Sequence, residues 1–376
     1  MPVKVREGLL IGDINDAAEV ISNGSSEITH VLSLLSSASI TFFSDWRRGF
    51  EAQHKEIEKV YKEINGRNNK KANPGNASGS SSDEELPPTQ AGKLLYNLEL
   101  VGPELKILRM AVPLRDMENE NLLDYLDTCL DFIERGRREG AILVHCYAGV
   151  SRSASVVMAY LMKMERLSQE DALKSLREQN EFVCPNDGFL EQLKMFEDMG
   201  FEVDHTSSIY KKFHLKILGE AYGRGEKVDS SKFEADPGLP ASIPSFNFDT
   251  STSQEAPDHE NLGTIYRCKK CRRVVASEEN VVTHFPGEGE TCFRRKNRSS
   301  GRFFDEYLEP ECSSIFVEPL QWMTTVEEGA IEGKLSCIGC QARLGYFNWS
   351  GIQCSCGTWV NPAFQLHKSR VDTSKC

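Results

Sequence analysis

Apolar positions in the first part of the chain follow two alternating patterns. Continuous apolar runs within residues 8–12, 28–35, 105–112 and 142–144 read as strands, and unbroken runs of this kind belong to strands covered on both faces. Leu122, Leu126, Cys129, Leu130 and Ile133 recur at helical spacing, which places them on one face of a helix and makes Cys129 a packing residue. Further helices are expected from Asp16, across 154–164, from an N-cap at Ser168, and after Cys184-Pro185-Asn186. Strands alternating with helices predict an α/β domain with a largely parallel central sheet flanked by helices. His30 is expected as a partly buried strand residue.

The pattern lapses twice. Residues 43–95 read as an insertion in a surface loop, with a charged, solvated helix over 51–64 and a disordered tip. Residues 65–89 are rich in Gly, Asn, Ser, Pro and Lys, a composition unable to bury a core. Within them Ser80, Ser81 and Ser82 precede Asp83-Glu84-Glu85, which reads equally as an acidophilic kinase site and as a solvating acidic tract. Residues 219–262 are polar, without sustained periodicity, and read as a linker. The expected organisation is a first domain over 1–203 and a second, of different composition, over 263–376.

Charge and cysteine usage narrow the class. The 376 residues carry 44 basic and 56 acidic side chains, a formal net charge of −12, which argues against a chain that coats nucleic acid along its length but leaves local basic patches open. Met1-Pro2-Val3-Lys4-Val5-Arg6 is not followed by a secretory apolar core, and no apolar run reaches membrane-spanning length, so an intracellular protein without membrane contact is expected. Of the 12 cysteines, eight fall from Cys268 to Cys356. In a reducing compartment such clustering points to metal or catalysis. The glycosylation matches at Asn76 and Asn297 are then expected to stay unmodified.

The chemistry centres on Ile142-Leu143-Val144-His145-Cys146-Tyr147-Ala148-Gly149-Val150-Ser151-Arg152-Ser153. A buried strand runs into a short glycine-containing loop, and Arg152-Ser153 opens a helix. Successive backbone N–H groups in such a turn point into one concavity at the positive end of the following helix, which makes an anion-binding nest. Cys146 sits at its floor, where those dipoles and Arg152 favour thiolate over thiol. A thiolate inside an anion nest suits attack on a phosphate ester, with the nest holding the oxyanions of the transferring group.

This stretch resembles the signature loop of the cysteine-based protein tyrosine and dual-specificity phosphatases: His-Cys, five residues, then Arg and Ser. The resemblance implies a protein-tyrosine-phosphatase-like fold over 1–203, with Cys146 as nucleophile and Arg152 as bidentate phosphate clamp. It makes Ser153 the hydrogen-bond donor to the departing thiolate and His145 a residue that helps set the cysteine's acidity. Tyr147, Ala148, Gly149, Val150 and Ser151 would line the phosphate. It also implies an Asp about thirty residues before the nucleophile as the acid that protonates the leaving oxygen, and Asp116 stands there. Asp124 and Asp127 compete for that role but fall on a helix, where a solvated face is expected. Asn186 is expected as a buttress beneath the loop, and Cys184 as packing in preference to a redox disulfide with Cys146. Substrates would be phosphoserine and phosphothreonine as well as phosphotyrosine, and the phosphatase chemistry would need no metal.

Two C-x-x-C pairs, Cys268/Cys271 and Cys337/Cys340, stand in the second region as zinc knuckles. Cys354-Ser355-Cys356 follows the second pair closely. One site is therefore expected from Cys337, Cys340, Cys354 and Cys356, and another from Cys268, Cys271, His284 and Cys312, with Cys292 as an alternative to Cys312. Both would be structural zinc ions that hold a tail thin in apolar residues. His367 is expected to face solvent and Cys376 to be a free thiol. Arg267–Arg273 and Arg294–Arg298 are basic and suit an RNA or ribonucleoprotein surface, or equally a solvated face.

The tail, with Phe316-Val317-Glu318-Pro319-Leu320-Gln321-Trp322-Met323 and Gly345-Tyr346-Phe347-Asn348-Trp349, resembles that of the zinc-carrying branch of the dual-specificity phosphatases. That resemblance implies association with maturing large ribosomal subunits and presence in both nucleus and cytoplasm. Two functions follow: a phosphoprotein phosphatase, or a zinc-dependent ribosome-assembly scaffold in which the phosphatase activity is dispensable.

Overall fold

The computed structural model describes residues 1–61, 94–226, 228, 230–239, 263–285, 287, 312–327 and 329–375. The expected disordered tip, the serines before Asp83, Cys292, Arg294–Arg298 and Cys376 lie outside the described residues. The chain divides into two compact units, and the boundary falls between Tyr210 and Lys211. Among the described residues no helix is long and apolar enough to cross a membrane.

In the first unit the elements run β1 (Val3–Arg6), β2 (Leu9–Gly12), α1 (Ile14–Asn23), β3 (Ile28–Leu35), α2 (Phe42–Trp46), β4 (His54–Tyr61), β5 (Leu94–Val101), β6 (Ile107–Pro113), α3 (Leu123–Glu139), β7 (Ala141–His145), α4 (Arg152–Glu165), α5 (Gln169–Arg177) and α6 (Asp187–Asp198). One sheet orders them β1-β2-β7-β3-β6-β5-β4. β2, β7, β3 and β6 are parallel neighbours, and antiparallel strands flank them on both sides. The apolar runs sit where their composition requires, since β7 is buried at every position and β3 at all but one.

Side-chain alternation sends neighbours on a strand to opposite faces. Val31, Leu35 and Leu143 join α1, Phe43 and Phe50 in one core cluster. On the other face α3 comes close enough that a Cβ on Gly136 would lie 2.9 Å from Ile142 and 3.0 Å from His30. Buried from Arg152 through Met162, α4 is apolar nearly all round, as a helix enclosed within a core must be. Ser168 caps α5, its Oγ accepting from the Asp171 N–H at 3.1 Å. His30 and Cys129 are both buried, and burial raises the Cys129 thiol to about 12, so it stays a neutral packing group.

The expected insertion over 43–95 needs correction at both ends. Phe43 lies in α2 and is fully buried, and 54–61 is a strand where a solvated helix was expected. β4 pairs with β5, Glu56 opposite Glu99 and Lys59 opposite Asn97, and lengthens the sheet. Lys55, Glu56, Glu58 and Lys59 charge this edge, a pattern that discourages pairing with other chains. Their polarity hid the strand, because an edge strand buries little and leaves no apolar signal.

The second unit continues from helix α7 (Ser208–Gly223) through β8 (Thr264–Cys268), β9 (Val274–Ser277), β10 (Ser314–Phe316), α8 (Thr324–Glu327), β11 (Glu332–Ser336), β12 (Arg343–Asn348), β13 (Ile352–Gln353), β14 (Trp359–Val360), β15 (Ala363–His367) and β16 (Val371–Lys375). They form small antiparallel sheets ordered β10-β15-β12-β11, β13-β14 and β16-β8-β9. The linker expectation over 219–262 also needs correction. α7 runs to Gly223, and Leu218, Ala221, Val228 and Phe233 enter the same core as Phe316, Leu320, Trp322 and Phe364. A helix that buries widely spaced apolar residues against a remote sheet shows no local sign of doing so. His367 is half-buried, its Nδ1 3.2 Å from Ser314 Oγ, and does not simply face solvent.

Candidate active site and metal clusters

β7 ends at His145, and the loop 146–151 turns into α4. Gly149 adopts φ +73°, and a Cβ there would meet the Gly12 carbonyl oxygen at 2.8 Å, so only glycine fits. The loop is pinned on two sides: the Ile14 N–H donates to the Tyr147 carbonyl at 3.1 Å, and the Cys184 N–H to the Val150 carbonyl at 2.9 Å. Cys146 lies buried at its floor, and Ser153 Oγ donates to the Cys146 sulfur at 3.3 Å. The Arg152 guanidinium is buried and donates from Nη1 to the Leu114 carbonyl at 3.2 Å. Its Nε is 3.5 Å from Asp116 Oδ2, an ion-pair distance, and makes no hydrogen bond among the described residues. A buried, underused guanidinium is a ready anion receptor.

Asp116, just past β6, reaches the loop. Its Oδ1 accepts from Ser151 Oγ at 2.7 Å and from Asn186 Nδ2 at 2.9 Å. Asn186 is also the N-cap of α6, its Oδ1 accepting from the Phe189 N–H at 2.8 Å, so one side chain ties the helix start to the carboxylate. At Gly188 a Cβ would fall 1.9 Å from the Glu118 carbonyl oxygen, which shows how tightly α6 presses on the Asp116 loop. Of the competing carboxylates, Asp124 accepts from Tyr210 Oη at 2.6 Å, while burial raises Asp127 above its ordinary range.

Two sets of supporting residues escaped the sequence reading. Fully buried Gln192 accepts from the Leu122 N–H at 2.8 Å and donates to the Glu120 carbonyl at 2.9 Å, which clamps the Asp116 loop to α6. Behind Cys146, Arg109 pairs with Glu99 and donates from Nε to Ser33 Oγ at 2.9 Å. Ser33 Oγ is 2.7 Å from His145 Nε2, and His145 Nδ1 is 3.1 Å from the Cys146 carbonyl oxygen. A carbonyl only accepts, so His145 Nδ1 carries the ring proton and donates it to the Cys146 carbonyl; in the neutral ring Nε2 is then bare and accepts from the Ser33 hydroxyl, which accepts in turn from Arg109. Burial, followed by the charge of Arg109, lowers His145 to about 3 and keeps it neutral. The sole trace of this network in the sequence is a charged residue, Arg109, inside an otherwise apolar strand.

In the second unit the eight expected ligand residues gather into two clusters of four, but crosswise to the expected sets. Cys268, Cys271, Cys337 and Cys340 form one, and His284, Cys312, Cys354 and Cys356 the other, each with donor atoms within 4.8 Å of one another. The first cluster joins two knuckles, one between β8 and β9 and one between β11 and β12; the second joins the β13–β14 turn to His284 and Cys312. Proximity in sequence misled, because a knuckle supplies two ligands on one side only and its complement comes from another hairpin.

The sulfurs of Cys268 and Cys340 are 3.7 Å apart and those of Cys271 and Cys337 3.5 Å. His284 Nε2 is 3.2 Å from Cys354 Sγ and 3.3 Å from Cys312 Sγ. Tetrahedral zinc sets sulfurs about 3.8 Å apart and a nitrogen about 3.5 Å from a sulfur, so both clusters fit such an ion, and these cysteines are free of disulfides. The basic knuckle is partly neutralised, since Arg272 pairs with Asp372 and Arg273 with Asp236. A further grouping of His214, Glu234 and Glu318 has ion-pair geometry, His214 Nδ1 lying 3.6 Å from Glu318 Oε1.

A thiol and a guanidinium in one amide-lined loop, with a carboxyl at its edge and an α/β scaffold behind, define a cysteine-dependent phosphatase. A family profile described as the dual specificity phosphatase catalytic domain matches residues 81–199. The chain is 39% identical over 276 residues to Dual specificity protein phosphatase 12 of Homo sapiens, covering 73% of this chain and 76% of that one. It is 36% identical over 260 residues to Tyrosine-protein phosphatase YVH1 of Saccharomyces cerevisiae, covering 67% and 69%. The crystal structure of the Yvh1 phosphatase domain from Chaetomium thermophilum aligns with a TM-score of 0.34 at 22% identity, covering 54% of this chain and 97% of that one. The chain belongs to the dual-specificity protein phosphatase family. Within it, the chain is similar to human phosphatase 12 and to the yeast YVH1 phosphatase over 73% and 67% of its length.

Proposed function

We propose that the first unit hydrolyses phosphotyrosine and phosphoserine/threonine esters of proteins through a phosphocysteine at Cys146. The thiolate attacks phosphorus, the S–P bond forms, and the ester P–O bond breaks as Asp116 gives its proton to the leaving oxygen. Arg152 and the amides of residues 147–151 hold the equatorial oxygens. Asp116 then takes a proton from water, which attacks phosphorus; the S–P bond breaks and Ser153 donates to the released thiolate. The observation that carries this reading is the meeting of Cys146, Ser153, Arg152 and Asp116 around one loop, with Arg152 Nε buried and free to bond an oxyanion.

The tail clusters bind two zinc ions, one in each, and these ions fold the tail without entering the chemistry. The tail serves contact with a pre-ribosomal particle, in nucleus and cytoplasm. The pairing of Arg272 and Arg273 with acidic residues favours a protein face of such a particle over bare RNA.

Phosphate release from an aryl phosphate, measured for wild type and Cys146→Ser with zinc content on the same samples, tests the reading. Activity lost in the variant with zinc retained in both supports it. An inactive wild type that keeps its zinc overturns the enzymatic part and favours a scaffold.

A further inference from the structure

The short helix α2 stands beside the nucleophile and is fastened at both of its flanks. Phe43 is buried beneath the loop with its ring centroid 5.7 Å from that of His145, the residue before Cys146. It also stacks on Phe50 at 5.1 Å and carries the Arg109 guanidinium 5.3 Å over its face. One turn later Trp46 meets Tyr147, the residue after Cys146, edge to face with centroids 4.6 Å apart. Phe42 lies 6.2 Å from Trp46 and backs it. Trp46 is thus positioned against Tyr147 by a packed anchor. Even so, 56% of Trp46 and 41% of Tyr147 remain exposed. Two rings kept in water at the residue next to the nucleophile, on a rigid base, make an apolar wall at the mouth of the anion nest.

We infer that Trp46 and Tyr147 form an aryl subsite that makes the phosphotyrosine side chain the preferred substrate of this active site over phosphothreonine and phosphoserine. With phosphorus seated over Cys146, a phenyl ring rises along the wall and packs on both rings. Such aromatic pairs contribute beyond area burial alone. An alkyl phosphate offers no ring, and its shorter reach brings the peptide backbone against the indole. The inference rests on Cys146 being the nucleophile, and its test separates the two.

Peptides of one sequence carrying phosphotyrosine or phosphothreonine are compared on wild type, Trp46→Ala and Trp46→Phe, with melting temperature as a folding control. Wild type should favour phosphotyrosine. Trp46→Ala should lose about 5–10-fold in kcat/KM for phosphotyrosine, mostly through KM, with phosphothreonine turnover unchanged or raised, and Trp46→Phe should keep most of the preference. Equal change toward both peptides, or none, overturns the subsite while leaving the nucleophile intact. Binding of the same peptides to Cys146→Ser and to Cys146→Ser/Trp46→Ala reads the subsite without turnover. A phosphotyrosine preference that disappears in the double variant supports it, and an unchanged preference overturns it. Turnover that survives in Cys146→Ser overturns the nucleophile instead.

Discussion

The same amino acid does different work in the two units. In the first unit cysteines act singly: Cys129 fills a core and Cys146 waits in a loop whose shape comes from a large sheet and its covering helices. In the second unit they gather in sets, four in one cluster and three with His284 in the other, and Cys268, Cys337, Cys354 and Cys356 are themselves part of the core. The physical difference is area. Seven strands with helices on both faces bury enough apolar surface to position a strained loop without help. Strands of two to six residues in three small sheets bury less, and two clusters of donors that fit a metal ion lie among them. The candidate catalytic loop thus sits on the part with the larger sheet.

The largest expected effect comes from removing metal. A structural zinc ion contributes roughly 10 kcal/mol or more to the fold it closes, so a strong chelator should unfold the second unit while aryl phosphatase activity persists. Hydrogen exchange along the chain, read beside activity, checks this, and loss of activity in step with tail unfolding would break the contrast. Cobalt substitution sharpens it: His284→Ala should alter one ion's spectrum and leave an all-sulfur spectrum unchanged, as the crosswise ligand sets require.

Next in size, Asp116→Ala should lower kcat by roughly 10²–10⁴-fold and remove the basic limb of its pH profile. Metal content should not change. An unaltered rate reassigns the acid.

Acid should weaken the first unit through a group that is not a metal ligand. His145 is held neutral, its pKa lowered to about 3 from an ordinary 6.5, with burial as the main cause. The unfolded chain binds a proton there and the folded chain does not. Its contribution to stability is therefore complete above about pH 6.5 and is lost as pH falls toward about 3, amounting to ~3 kcal/mol by pH 4. Buried His30, also lowered by burial, adds in the same direction. Denaturant titrations at pH 7 and 4 should show His145→Gln losing less than wild type; equal losses would exclude His145 as a source.

The smallest effect is expected at Ser33. Ser33→Ala breaks the relay from Arg109 and leaves His145 Nε2 without its donor. The kcat should then fall by roughly 2–5-fold, with little change in melting temperature. An unchanged kcat would show that the relay only packs.

Much of the site could be read along the chain because its members are local. His145 through Ser153 are one turn between a strand and a helix, and Asp116 follows β6, the strand before β7 in the chain; their spacing matches the phosphatase signature that the stretch resembles. The ligand types of the tail were equally plain, since paired cysteines announce a knuckle. Residues without such local marks were missed. Arg109, Ser33 and Gln192 are recognisable only when strands and helices distant in sequence are side by side, and the β4 edge strand carries charge in place of an apolar stripe.

By itself, then, the sequence determined the alternation of strands and helices, the signature loop with the carboxylate that reaches it, and the eight side chains fit to hold metal, because each depends on short-range spacing and residue chemistry. Tertiary structure decided which knuckle faces which, where the charged edge strand pairs, and which proton His145 keeps. Those outcomes depend on groups brought together across long loops, where the energy of a pairing is set by the partner's position and leaves no imprint on neighbouring residues.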